Sequence, residues 1–235
     1  MDLQRSWEAF WKSFYTHGAY KRVLSEGLKN TLTIAIMGLI IGIVIGTIIA
    51  AIKVMPKYKR LPRILNSVFN VYVGFFRGTP IVVQLLLAYY VLFPLMGVQI
   101  GSLNTCILIF GLNSAAYVSE IMRAGIQSVD PGQMEAGRAL GFGFGTTMMK
   151  IVVPQAVKNI LPTLGNEFIA LIKDTSVVSF VAAVDLYKVF NEIGNVNYEY
   201  LMPYLVMALI YIVLILTVTL LFKLLEMYLR RDERR

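Results

Sequence analysis

Two stretches of the chain, 32–52 and 201–222, carry no charged residue at all. About 20 consecutive apolar residues cross the hydrocarbon of a bilayer as a helix, so each stretch is long enough to span it. Three less uniform apolar stretches lie between them, at 70–93, 103–123 and 157–178, and each admits polar or ionisable residues. The pattern predicts an all-α, polytopic membrane protein with five transmembrane helices. The second span is the least regular, because Arg77-Gly78-Thr79-Pro80 falls near its cytoplasmic end. In the first span Gly38, Gly42, Gly46 and Ala50 recur one turn apart, a ladder of small residues that lets another helix approach closely. We read that ladder as packing rather than chemistry.

Outside the spans, two segments have patterns of their own. Trp7, Phe10, Trp11 and Phe14 recur at helical spacing, with Glu8, Lys12 and Ser13 elsewhere on the wheel. Such an aromatic stripe suits a helix in the membrane interface, and equally one packed on the spans or on another subunit. The chain then divides into an interfacial segment (1–24), a transmembrane domain (25–228) and a basic tail (229–235). The second segment, 130–154, reads DPGQMEAGRALGFGFGTTMMKIVVP and interrupts the apolar runs. Asp130-Pro131-Gly132 is a turn signal, 133–140 are good helix formers, and Gly141, Gly143 and Gly145 break the helix after them. This predicts a short helix outside the bilayer. Glu135 and Arg138 are its solvated points, and Met134, Leu140 and Phe142 are apolar knobs for a partner.

Composition agrees with the spans and narrows the function. Hydrophobic residues make up 57% of the 235, charged residues only 15%, where a soluble domain carries about a quarter. One cysteine, Cys106, and one histidine, His17, exclude an internal disulfide framework and leave too few ligands for a zinc or haem site. The same scarcity argues against a membrane-embedded enzyme. A net charge of +8 marks cytoplasmic loops here rather than a nucleic-acid partner. Lys53, Lys57, Lys59, Arg60 and Arg63 follow the first span with no acid among them, while 185–199 holds Asp185, Glu192 and Glu199 against Lys188. Arg230, Arg231, Arg234 and Arg235 close the tail. These place the amino terminus outside and the carboxyl terminus in the cytoplasm, against the five basic residues that precede the first span, which Asp2, Glu8 and Glu26 accompany. The first apolar run begins too late for a cleavable signal peptide.

Ionisable residues at membrane depth are costly and mark pathways or internal pairs. Asn113, Tyr117 and Glu120 are spaced four and then three, so they share one helix face. Asn166 and Lys173 share a face of the fourth span, and Glu167 and Asp174 share the neighbouring one. Asn113, Tyr117, Glu120 and Asn166 together offer amide donors and an acid, a set able to contact a polar substrate. Glu120 and Glu167 favour a cationic one. Two readings stand for Glu120: a contact to the ligand, or a pair with Arg123 one turn on.

Residues 130–154 resemble the EAA loop of ATP-binding cassette importer permeases, in Glu135-Ala136-Gly137, Gly141 and Ile151-Val152-Val153-Pro154. Gly137 stands where that pattern has a second alanine, a change expected to loosen the helix. FFRGTPIVVQLLLAYY, NSAAYVSEIMRAGIQSVDPGQMEAGRALG and PQAVKNILPTLGNEFIALIKDTSVVS resemble the polar amino acid subgroup, the histidine, glutamine and arginine importers. The resemblance implies a type I importer fold in which two permease subunits, identical or paralogous, surround a central path. Each grips an ATP-binding cassette ATPase through the coupling helix, with Glu135, Ala136, Gly137, Arg138, Leu140, Gly141 and Phe142 at the contact. An extracytoplasmic binding protein delivers the amino acid. The chain has no phosphate-binding G-x-x-x-x-G-K-[ST], so it holds no cofactor, and ATP and Mg belong to the partner ATPase. An ion-coupled secondary amino acid transporter is the alternative; repeated halves with broken helices, which that class favours, are not evident in the sequence.

Overall fold

The structure is a computed structural model that describes residues 3–16, 18–55 and 60–229. His17, Lys57, Lys59 and the arginines of the tail, all used above, lie outside the described residues. In chain order the helices are α1 (Leu3–Trp11), α2 (Ala19–Val54), α3 (Arg60–Gly78), α4 (Ile81–Leu95) and α5 (Ser102–Gln127). They continue as α6 (Pro131–Ala139), α7 (Val153–Asp174), α8 (Leu186–Asn197) and α9 (Leu201–Leu229). No strand occurs among the described residues.

By length and hydropathy α2, α5 and α9 are able to cross a membrane, and so is α3 with α4 taken as one bent pair. The expected straight span over 70–93 is therefore corrected. The helix begins earlier, at Arg60, and breaks at Gly78 with a bend of 106°. Proline causes the break: it lacks the N–H that a helix needs and disfavours helical torsions in the residue before it. Pro80 accordingly sits at φ −63° and ψ 136° as the cap of α4. Helix α7, over the expected span 157–178, carries charges and is not among the helices apolar enough to pass this measure, yet it packs on α2, α5 and α9. Beyond Asp174 it tightens into a 3₁₀ helix over Thr175–Val181.

The glycine ladder sets the core. On Gly42 a Cβ would stand 2.6 Å from Ser114 Oγ, and on Gly46 one would stand 2.8 Å from Val118 Cβ. Glycine answers from the other side, since a Cβ on Gly111 would meet Ile41 Cγ2 at 2.6 Å. So α2 and α5 touch along their length as one rigid pair. Around them Ile34, Leu85, Phe110, Leu171, Ile172 and Val178 form the main buried cluster.

The two ends of the bundle differ. At one, Asn30 Nδ2 donates to Val184 O at 2.8 Å, and the Leu186 N–H donates to Thr31 Oγ1 at 3.3 Å. Asp185 caps α8 there by accepting the Lys188 and Tyr187 N–H groups, and burial pushes its carboxyl up to about 6. Phe10 of α1 is buried in the same end, against Val23, Leu186, Phe190 and Met202. Of the readings open for the aromatic stripe, packing on the chain's own helices is the one Phe10 adopts, while Trp7 stays half exposed. The other end carries Lys53 and α6.

Candidate permeation face and docking loop

The residues expected to form one pocket are dealt to different tasks. Asn113 is buried and its Nδ2 donates to Gln84 Oε1 at 3.0 Å and to Phe76 O at 3.2 Å. It serves the break between α3 and α4. Glu120 has its Oε1 2.6 Å from Lys53 Nζ and its Oε2 2.7 Å from Arg123 Nη2. Both partners are cations, so the carboxylate is compensated inside the protein. The pairing with Arg123 is present, joined by Lys53, which the sequence places just after the first uncharged run. Asn166 lies exposed on α7. A cleft of about 280 Å³ lies beside the Glu120 cluster, lined by Lys53, Asn66, Asn70, Glu120, Arg123 and Gln127.

Tyr117 has different company. The Arg77 guanidinium stands over its ring, 5.2 Å from the centroid. One turn back on α5, buried Ser114 donates its hydroxyl to Glu167 Oε1 at 2.9 Å. Asp174 follows Glu167 two turns on along α7. These contacts bring Arg77, Tyr117, Ser114 and Glu167 together, and of the four residues expected to share a pocket only Tyr117 is among them. Arg77 and Gln84 were missed. Their signal was R-G-T-P-x-x-x-Q within an apolar run, a charge at a helix break. Such breaks at membrane depth are tolerated only where buried or lining a cavity.

The loop over 130–154 is built by local rules. Asp130 Oδ1 accepts the Gly132 N–H at 2.7 Å and Pro131 opens α6, a capped start. At the far end Gly141 has φ +85°, the Phe142 N–H reaches Gly137 O at 3.2 Å, and the Gly141 N–H reaches Arg138 O at 3.0 Å. That pair of bonds is a Schellman stop, which favours glycine at the left-handed position. Glu135, Ala136 and Arg138 are exposed, as are Leu140 at 75% and Phe142 at 48%. Met134 is not a free knob: it is partly buried and packs on the buried cluster that includes Val129 and Val152. Helix α6 runs unbroken through Gly137. The glycine is buried, and a Cβ there would stand 2.5 Å from Thr147 Cγ2. Gln155 Nε2 to Gln133 Oε1, 3.2 Å, and Asn159 Nδ2 to Ser128 Oγ, 2.9 Å, tie the loop to α7.

The chain is thus a bundle of apolar helices that carries a capped helix, α6, at one end. A family model described as binding-protein-dependent transport system inner membrane component matches residues 42–231, and the chain belongs to that family of multi-pass ABC importer permeases. The arginine transport system permease protein ArtQ of Bacillus subtilis (strain 168) is 38% identical over 208 residues, 88% of this chain and 93% of that one. The L-cystine transport system permease protein TcyB of the same organism is 36% identical over 206 residues, 87% of this chain and 83% of that one. A solved structure of an amino acid ABC transporter with histidines superposes with a TM-score of 0.80 at 40% identity, covering 91% of this chain and 97% of that one. The MetNI methionine ABC transporter in inward-facing conformations shares the fold, with a TM-score of 0.72 at 18% identity over 86% of this chain and 94% of that one.

Proposed function

We propose that this chain is the permease subunit of an amino acid importer and moves a polar, cationic amino acid inward across the cell membrane. Two ATP-binding cassette ATPases supply the energy, a second permease subunit completes the path, and an extracytoplasmic binding protein delivers the cargo. ArtQ, TcyB and the transporter solved with histidines, each named for an amino acid, support the cargo class.

The orientation follows from charge. Lys53, Arg60 and Arg63 stand at the α6 end, and Asp185, Glu192 and Glu199 at the other. Basic residues favour the cytoplasm, so α6 is cytoplasmic and the amino terminus is outside. ATPase closure moves α6, and the bonds from α6 and the α5 terminus to α7 carry that motion to the helix that holds Glu167. Exposed Leu140 and Phe142 are the apolar surface a groove in the ATPase covers.

The observation that carries the cargo's charge is the Glu167 carboxylate, held by the Ser114 hydroxyl on the face it shares with Tyr117. A carboxylate at membrane depth favours a cationic ligand. Glu120, satisfied by Lys53 and Arg123, does not contribute. Glu167→Gln keeps the shape and removes the charge. Binding of arginine and of citrulline, its uncharged analogue, to the permease–ATPase complex tests the assignment. The variant should lose about tenfold in arginine affinity while citrulline stays within about twofold. Equal effects on both would overturn it.

A further inference from the structure

Arg77 occupies a place that its neighbours in the chain prepare for it. The break between α3 and α4 leaves backbone carbonyls without helical donors at membrane depth, and two buried amides supply them. Gln84 Nε2 donates to Phe76 O at 3.0 Å, Thr79 O at 3.0 Å and Thr79 Oγ1 at 2.9 Å. Asn113 Nδ2 donates to Phe76 O and to Gln84 Oε1. Gln84 is 4% exposed and Asn113 8%. Backbone groups on both sides of Arg77 are therefore fixed to α4 and α5, while its own side chain is left exposed. That side chain lies over the ring of Tyr117. A guanidinium over an aromatic face is an attractive arrangement that strengthens as water is excluded.

We propose that Arg77 is a tethered counter-cation for the permeation face: between cargoes it rests on Tyr117, one turn along α5 from the Ser114 that holds Glu167, and a cationic cargo displaces it in order to bind. This rests on the reading of Glu167 as the partner of the cargo. The empty site poses a physical problem that the cargo alone does not solve. Once the amino acid leaves, a carboxylate remains at membrane depth without its cation, a costly state. An arginine on a rigid tether restores the balance with the same chemistry the cargo offers. Gln84 and Asn113 are positioning residues in this device, since they touch the break and not the cargo. The exchange of one cation for another keeps the charge of the face constant through the cycle. Its consequence is competition, so the resident side chain weakens the apparent affinity for every cation it yields to.

The test is equilibrium binding of radiolabelled arginine to the permease–ATPase complex in nanodiscs, without the binding protein. Arg77→Gln should tighten arginine binding about fivefold, the scale of a partly exposed cation–aromatic contact. Arg77→Lys, which returns a cation to the tether, should bring the affinity back to within about twofold of wild type. Damage to packing weakens binding, so a gain is the diagnostic result. Unchanged affinity in Arg77→Gln would overturn the proposal, and so would weakened affinity, which would make Arg77 a direct holder of cargo. The two readings separate cleanly. If Glu167→Gln abolishes the preference for arginine over citrulline while Arg77→Gln changes nothing, the cargo site stands and the tether falls. If neither variant has an effect, both fall.

Discussion

Gly137 and Thr147 lie so close that a Cβ on the glycine would stand 2.5 Å from the threonine methyl, and 3.0 Å from Ile151 Cδ1. Helix α6 therefore rests on the turn that follows it as closely as a backbone allows. Gly137→Ala should push α6 off Thr147 and weaken retention of the ATPase on affinity purification. Thr147→Ser removes the obstructing methyl and keeps the hydroxyl that donates to Gly143 O, so the double variant should recover retention. Normal retention in the single variant would show that the contact has room to relax.

The stop of the same helix gives a second prediction. Gly141 at φ +85° sits where a side chain costs about 1–2 kcal/mol, and a β-branched one more. Gly141→Val should leave the protein membrane-inserted while uncoupling ATP hydrolysis from uptake, and Glu135→Lys should reverse a solvated charge on the docking face with the same outcome. Coupled transport in both would make the loop a passive linker.

Some of this was legible in the sequence and some was hidden by long-range pairing. The uncharged runs announced α2 and α9, the glycine ladder announced a close helix contact, and turn chemistry placed α6 to within two residues at its start. Lys53 looked like a loop residue because it follows an uncharged run, yet it ends α2 and reaches a residue on α5. Asn113 shares a helix face with Tyr117 in the wheel, but its partner Gln84 belongs to another helix that no periodicity connects to it. The second span was drawn too late because Arg60 and Arg63 masked the beginning of α3. That shift put Arg77 near a membrane surface, whereas it stands beside Tyr117, well inside α5.

The ion cluster makes a third prediction. Lys53 has a side chain only 7% exposed and Glu120 one 19% exposed. Glu120→Gln leaves the lysine charge buried with no carboxylate, a loss of about 3 kcal/mol. Adding Lys53→Met should recover most of it. Cys106 is free and fully buried, so a thiol-reactive dye reports unfolding directly. Equal melting temperatures for wild type and Glu120→Gln would show that the pair contributes nothing.

The same dye tests the clasp of the broken helix. Gln84→Leu removes the donor of Thr79 O and one donor of Phe76 O, and each buried acceptor left bare costs about 1–3 kcal/mol. Melting should fall by several degrees, and Asn113→Leu in the same chain should lower it further, because Phe76 O then has neither amide. A double variant no worse than Gln84→Leu alone would show that Asn113 lends the break no support of its own.

ATP-dependent uptake is the most direct test of the importer itself. The complex, reconstituted in vesicles with ATP on the face that carries α6 and the binding protein on the other, is supplied with radiolabelled arginine. Uptake should require hydrolysable ATP and the ATPase subunits, and should persist when proton and sodium gradients are collapsed. Uptake driven by an imposed ion gradient in vesicles that hold the permease without any ATPase would contradict the account.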